Sequence, residues 1–288
     1  MNLFLEQLFN GLAIGAIYAL ITLGLALVYG ILGVLHVAHA GIYTIGAYVG
    51  YGVFVATGSL ALAFAVSMAF CALAGVAIER FVYAPLMKYP PYVPLISSIA
   101  LFMAVEEICR LIAGPYVLSF STNLPFPALS FAGIRFSPNL VGIYVISGVI
   151  FFLLWFLTTR TEIGLALRAT AMDAPIASSL GINSSMAVDM AFALGSAIAA
   201  VAGILVGIYY NEVHPDMGAM PAYKSLALIV VGGLGSVEGA VAASLLLGVA
   251  ETLLIGFAAI PLPRDALAFI AMIVVLMWRP TGLFGARS

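Results

Sequence analysis

Two histidines stand where a lipid-embedded chain tolerates polar groups least. In GILGVLHVAHAGIYTIGAYVG, residues 30–50, His36 and His39 lie three positions apart among glycines. An imidazole can ligate a metal, relay a proton or hydrogen-bond a neighbouring element, and each neutral ring needs partners for one donor and one acceptor. At this spacing the two rings share a face if the segment is helical. No carboxylate or cysteine lies at ligand spacing beside them, so nothing nearby completes a metal site. Packing against other helices and lining a solute pathway both fit. Gly30, Gly33 and Gly41 each lower helix propensity by about 1 kcal/mol and permit close backbone approach. Backbone loosened at membrane depth must face protein or a water-filled cavity.

Three further groups carry charge in apolar surroundings. In ALFMAVEEICRLIAG, residues 100–114, Arg110 can pair with Glu106 at i, i+4 or with Glu107 at i, i+3, leaving one carboxylate over. Glu251, in LLLGVAETLL, has no charged neighbour within a helical turn. An acid inside a membrane segment is a functional candidate by default, and an interhelical hydrogen bond accounts for it equally well. Asp189 falls near the start of a helix, where a carboxylate favours the helix dipole.

These groups need a membrane frame around them. Of 288 residues, 64% are hydrophobic and 8% charged, with mean hydropathy +1.21. Soluble domains carry about 25% charged residues, so the chain reads as an all-α, polytopic membrane protein. The apolar runs are too long for a transmembrane β-barrel. No Asp, Glu, Lys or Arg occurs from Gln7 to Ile78, 72 residues, room for roughly three membrane elements at about 20 residues each. The start lacks the basic region of a cleavable signal, and the first helix is expected to serve as the insertion signal. Net charge is −2, and nothing points to nucleic acid. Cys71 and Cys109 read as buried, unpaired thiols.

Helices are expected over about residues 94–113, 140–158, 186–210 and 265–279, giving about eight membrane helices with broken or re-entrant segments, in one permease domain spanning 1–288. Residues 158–185 read as polar amphipathic helix plus turns. Lys and Arg near helix ends mark the cytoplasmic side. Arg80 with Lys88, Arg160 with Arg168, and Arg279 with Arg287 assign three such regions and place the C-terminus inside. The 114–139 segment, with Arg135 alone, and the 211–222 segment are then external. The side of the N-terminus depends on whether residues 31–41 and 231–239 cross or re-enter.

One similarity is internal. LALVYGILGVLHVAHAG, residues 25–41, resembles LALIVVGGLGSVEGA, residues 226–240. Both run apolar, break at glycines (Gly232, Gly233 and Gly235 in the second) and place a polar side chain such as Ser236 after the break. Glycine-interrupted segments at matching places in two halves point to a transport site and are one sign of an inverted repeat. There is no phosphate-binding loop, zinc-ligand spacing or nucleophile beside a base.

The same residues carry a family resemblance. NGLAIGAIYALITLGLALVYGILGVLHVAHAGIYTIGAY (10–48), TEIGLALRATAMDAPIASSLGIN (161–183) and PDMGAMPAYKSLALIVVGGLGSVEGAVAASLLLGVAE (215–251) together resemble the LivH-like permeases of bacterial branched-chain amino acid ABC importers. His39 fits the first motif. His36 and Gly41 depart from it, standing where the family usually has asparagine and an acid, and Glu106 and Glu107 stand where less acidic residues are usual.

The resemblance implies a multi-pass inner-membrane subunit without an ATPase site or cofactor of its own. Its partners would be a LivM-like second permease, two ABC ATPase subunits binding ATP and magnesium, and a periplasmic binding protein delivering an amino acid. Residues 158–185 would couple to the ATPase, with Arg168 and Asp173 as polar rim contacts and Ala177 and Gly181 as close-packing positions. The pathway would involve Gly33, His36, His39, Gly41, Gly232, Gly233, Gly235 and Ser236, with Glu106 and Glu251 as further candidates. Urea, short amides or another amino acid are alternative cargoes on the same scaffold. An ion-coupled secondary transporter or a channel is a reading from another class.

Overall fold

The computed structural model describes residues 2–131, 134–257, 264–279 and 281–284. Long helices alternate with short turns. The order is α1 (Asn2–Leu32), α2 (His39–Thr57), α3 (Leu60–Ile78), a π-helical turn (Glu79–Tyr83), α4 (Ala84–Leu86), α5 (Tyr92–Ala113), strands β1 (Leu129–Phe131) and β2 (Ile134–Phe136), α6 (Pro138–Arg160), α7 (Glu162–Met172), α8 (Ala174–Ser179), α9 (Ser184–Tyr210), a 3-10 turn (Pro215–Gly218), α10 (Ala219–Gly232), α11 (Val237–Phe257) and α12 (Arg264–Trp278). Polar side chains start several of these. Ser137 caps α6, Thr161 caps α7 and Asn183 caps α9, each accepting from a backbone N–H three residues on. Gly58, at φ 68°, ends α2 in a left-handed cap.

Among the described residues six helices are long and apolar enough to cross a membrane. The 72-residue uncharged run forms three of them, as its length predicts. α5 has 22 residues, about 33 Å at 1.5 Å per residue, and also matches the ~30 Å hydrocarbon thickness. The protein is therefore an all-α, polytopic membrane protein, with one departure. Inside the proline-rich 114–137 segment, β1 and β2 pair antiparallel, Ser130 opposite Arg135. Leu118 also pairs with Val213, and Phe120 is buried against Tyr51 and Phe54 of α2.

α1 and α9 are central and mostly buried, whereas α3, α6 and α11 present broad apolar faces outward. Small residues let the central helices touch. Gly11 and Gly15 of α1 lie on the backbone of α11 at Val249 and Leu245, and Gly24 meets the carbonyl of Gly195 on α9. On α2, Gly46 lies against Ala200. With lipid outside as apolar as the core, such close packing is what associates helices.

The contacts fix the direction of every long helix. Phe4 at the start of α1 stacks on Phe257 at the end of α11, and Tyr144 donates to the Phe9 carbonyl. Ile31, near the end of α1, packs with Leu167 and Ala187. α1 therefore runs from the end holding the β-hairpin to the end holding Arg80, Lys88, Arg160, Arg168 and Arg279, called here the basic end. Arg287 lies outside the described residues, as does the side chain of Arg135.

The two glycine breaks are turns at the basic end. Residues 33–38 join α1 to α2, and residues 233–236 join α10 to α11, where Ser236 N–H donates to Gly233 O. α10 runs parallel to α1, from Tyr18 beside Lys224 to Leu25 beside Ile229. The two similar segments are thus helix–break–helix units of one direction, and their likeness does not mark an inversion. α10, with 14 residues, spans only about 21 Å. Its 3-10 lead-in lies between helices, Gly218 against the first turns of α2.

Candidate functional site

The break 33–38 is not helical, so the two histidines do not share a helix face. Gly33, at φ 64°, takes a conformation that other residues resist, and the chain turns there. His36 lies in the turn and His39 opens α2, and the turn brings their ring centroids to 5.8 Å. His36 Nδ1 is 2.6 Å from Tyr83 Oη, and its ring lies against those of Tyr83 and Phe192, both at 5.1 Å. His39 packs on Gly24, opposite Gly195. Both histidines are buried in a joint between α1, α2, the π-helical turn and α9. Gly41 faces Val105 of α5, and Val37 N–H donates to Ser98 Oγ. Among the described residues no group of three or more His, Cys, Asp and Glu could hold a metal.

One turn away, Arg80 makes a forked contact with Asp189, donating from Nη2 at 2.6 Å and from Nε at 3.2 Å to each oxygen. Asp189 thus does more than favour a dipole. It ties the start of α9 to the π-helical turn that follows α3, the same turn that supplies Tyr83 to the histidine joint.

Glu251 is buried with a partner that sequence spacing did not reveal. Lys224 Nζ lies 3.0 Å from both carboxylate oxygens, and both side chains are almost fully enclosed, at 2% and 3% exposure. Tyr18 Oη accepts from Lys224 at 2.8 Å and donates to Glu251 at 3.0 Å. The three residues come from α1, α10 and α11, and join them midway along α1. Lys224 follows the 211–222 segment in the sequence. Its signal was position: a single cation preceding the uninterrupted apolar run SLALIVV.

At the far end Arg110 pairs with Glu107 and also reaches Asp216 of the 3-10 turn. Glu106 makes no ion pair among the described residues, which identifies it as the remaining carboxylate of the group. Cys71 and Cys109 are buried free thiols.

In the second break, Gly232 lies on the backbone of Gly239, while Gly233 and Gly235 have φ of 111° and 83°. Ser236 Oγ caps α11 by accepting from Gly239 N–H. Leu283 and Phe284 donate backbone N–H groups to Val231 and Gly232 carbonyls and seal the turn. The candidates therefore fall in separate places: the histidine joint, the α10–α11 turn, the Lys224–Glu251 pair and the Arg110 cluster. Gly235 and Ser236 open onto a cleft between α1, α6, α7 and α11, about 710 Å³ in volume. Neither histidine lines it.

In residues 158–185, α7 and α8 form a short helical elbow at the basic end. Asp173 Oδ1 accepts from Ile176 N–H at 2.8 Å, so it caps α8, and it is exposed. Ala177 is buried against its own chain, and Gly181 has open space around it with φ 89°. Arg168 is exposed on α7 and lines the cleft. Met172, Ile176 and Leu180 stand at 88%, 59% and 77% exposure, an apolar surface on the elbow.

Crossing helices joined by small residues, with an amphipathic elbow between α6 and α9, define a multi-pass membrane protein. The family described as branched-chain amino acid transport system / permease component matches residues 7–277, and the chain belongs to it. It is similar to the high-affinity branched-chain amino acid transport system permease protein BraD of Pseudomonas aeruginosa, 35% identical over 98% of this chain and 96% of that one. It is likewise similar to LivH of Escherichia coli strain K12, with 33% identity over 98% and 96%. A permease named LivM, from Salmonella typhimurium, is 27% identical over 93% of this chain and 67% of its own length.

Proposed function

We propose that this chain is the LivH-type permease subunit of a bacterial ABC importer, carrying branched-chain or related amino acids across the inner membrane. The observation that supports this most strongly is the extent of the match. It runs through the glycine breaks and the elbow as well as the apolar helices, over 96% of the BraD and LivH relatives. The basic end is the cytoplasmic end by its Lys and Arg content, which puts the start of α1 outside. A LivM-like permease completes the pathway, two separate subunits bind ATP with magnesium, and a periplasmic protein delivers the amino acid. This chain contributes no ATPase site and holds no cofactor.

The elbow supplies the drive. Its exposed Met172, Ile176 and Leu180 form a docking surface for an ATPase groove, and α7 packs on both α6 and α9. ATP binding then shifts the balance of two permease conformations through its different affinity for each. Beside the elbow, the histidine joint and the Arg80–Asp189 tie hold the ends of α1, α3 and α9 together, so motion of the elbow is passed to three helices at once.

The test is uptake of labelled leucine into proteoliposomes holding both permeases and both ATPases, with binding protein outside and ATP inside. Uptake that requires ATP and binding protein is expected. Uptake driven by a proton or sodium gradient without ATP overturns the assignment, and ATP-driven uptake of urea or amides but not leucine overturns the cargo.

A further inference from the structure

The cleft between α6 and α11 has a shape and a charge distribution that the transport reading does not use. Its floor is α1 at Leu23, Ala26 and Leu27, and its walls are Phe151 and Leu154 of α6 with Val241 and Leu245 of α11. Polar side chains occur at one end, where Thr158, Thr159, Arg168, Ser236 and Glu238 line the mouth. From Val237 to Leu245 the groove follows α11 for eight residue steps, about 12 Å of helix, close to the ~15 Å of one leaflet in a ~30 Å hydrocarbon layer. The polar end is the basic end of the bundle, at the level where Trp155 carries Arg160 over its ring at 5.8 Å. Tryptophan and arginine so placed mark a membrane–water interface. The groove is therefore apolar for the depth of one leaflet and charged at the level of its head groups.

The mouth carries one charge of each sign. Arg168 and Glu238 both line it, both are exposed, and neither is in an ion pair among the described residues. The threonine hydroxyls already donate to their own helix, Thr158 to Leu154 O and Thr159 to Trp155 O. They offer a ligand acceptors rather than donors. A ligand filling this cleft thus has a long apolar body and a head with an anion for Arg168 and a hydrogen-bond-donating cation for Glu238 and the threonines.

We infer that the cleft is a binding site for a bilayer phospholipid with a zwitterionic, primary-amine head group, its phosphate at Arg168, its ammonium at Glu238 and its acyl chains between α6 and α11. A quaternary ammonium has no N–H to give to the acceptors, and a head group without an amine leaves Glu238 facing a phosphate. Both are disfavoured. Because α7 carries Arg168 and belongs to the elbow, a lipid seated here bridges the elbow to α11.

The experiment is native mass spectrometry of the assembled transporter, released from membranes supplemented with equal amounts of phosphatidylethanolamine, phosphatidylcholine and phosphatidylglycerol. Preferential retention of the ethanolamine lipid is expected. Arg168→Gln and Glu238→Gln should each reduce that retention about tenfold, the factor for ~1.4 kcal/mol, in the range of one charge-assisted hydrogen bond. Ala242→Trp, which fills the apolar half and leaves both charges in place, should abolish it. Equal retention of the three lipids by the parent protein overturns the inference, as does retention unchanged in all three variants. A cysteine at Ala242 that cross-links to the second permease also overturns it, since a protein partner then occupies the groove.

Discussion

A lysine and a glutamate buried together between helices place opposite demands on substitution. Charges taken out of water are held by each other, and removing one leaves the other uncompensated at a cost of about 3–5 kcal/mol. Lys224 and Glu251, 3.0 Å apart and joined through Tyr18, are such a pair. Lys224→Met alone and Glu251→Leu alone should each sharply lower the melting temperature of the detergent-purified permease. The double variant, which buries no orphan charge, should recover most of the loss. If the double variant transports as well as the parent, the pair is structural. If it is stable and inert, the pair takes part in transport. His36 is a milder case. Tyr83→Phe removes its 2.6 Å hydrogen bond but keeps the rings in contact, so a loss of about 1 kcal/mol is expected, against a larger one for His36→Ala, which also empties a packed site. Equal stability of the two variants would refute the packed joint. Glu251 and the histidines stood out in the sequence because polar groups are costly in lipid. Lys224 did not, and Asp189 was legible only as a charge favouring a helix dipole, because their partners lie 27 and 109 positions away and no local period connects them.

At the scale of elements, the bundle depends on where helices can approach and where they need not. The helices themselves were legible from apolar length. The α1–α11 and α1–α9 contacts were not, because the glycines that make them look the same in sequence as those that make turns. A Cβ on Gly195 would lie 2.7 Å from the Gly24 carbonyl oxygen, and one on Gly248 about as close to the α1 backbone, at 2.5 Å from Gly15 Cα. On α2, Gly52 is exposed and has open space around it. Gly195→Leu and Gly248→Leu should therefore abolish monodisperse protein in size-exclusion chromatography, while Gly52→Leu should be neutral within about 0.5 kcal/mol. A well-behaved Gly195→Leu protein would mean that α1 and α9 do not touch as described. The elbow separates in the same way. Gly181 has φ 89°, so Gly181→Val strains the turn by about 1–2 kcal/mol and acts on docking indirectly, by displacing α8. Ile176→Asp and Leu180→Asp change the proposed docking surface itself. These two should cut substrate-stimulated ATP hydrolysis of the assembled complex and leave the permease fold intact. Unchanged hydrolysis would move the docking contact elsewhere.

For the molecule as a whole, the open question in the sequence was parity, and it turned on two short breaks that hydropathy could not assign. The structure makes each break a turn at the basic end, so each separates two passes. Counted with α5, the short α10 with its 3-10 lead-in and α12, the six helices long and apolar enough to cross bring the expected number of passes among the described residues to nine. An odd number places the termini on opposite faces. With the Arg- and Lys-bearing turns in the cytoplasm, the start of α1 and the α2–α3 turn at Ser59 are external, and Lys88 and the Arg279–Phe284 tail are internal. Single cysteines at Ser59 and at Lys88, in a protein whose own thiols at Cys71 and Cys109 are buried, test this in intact cells. A membrane-impermeant maleimide should label the first at once and the second only after the membrane is opened. Had the first break been a re-entrant loop, the count would be even, and a reporter fused to the N-terminus would share the side of Lys88. Labelling at Ser59 from outside, together with an N-terminal reporter active only outside, is the joint outcome that nine passes require. An internal N-terminus beside an external Ser59 would show that α1 does not cross, and would remove the central helix around which the others are packed.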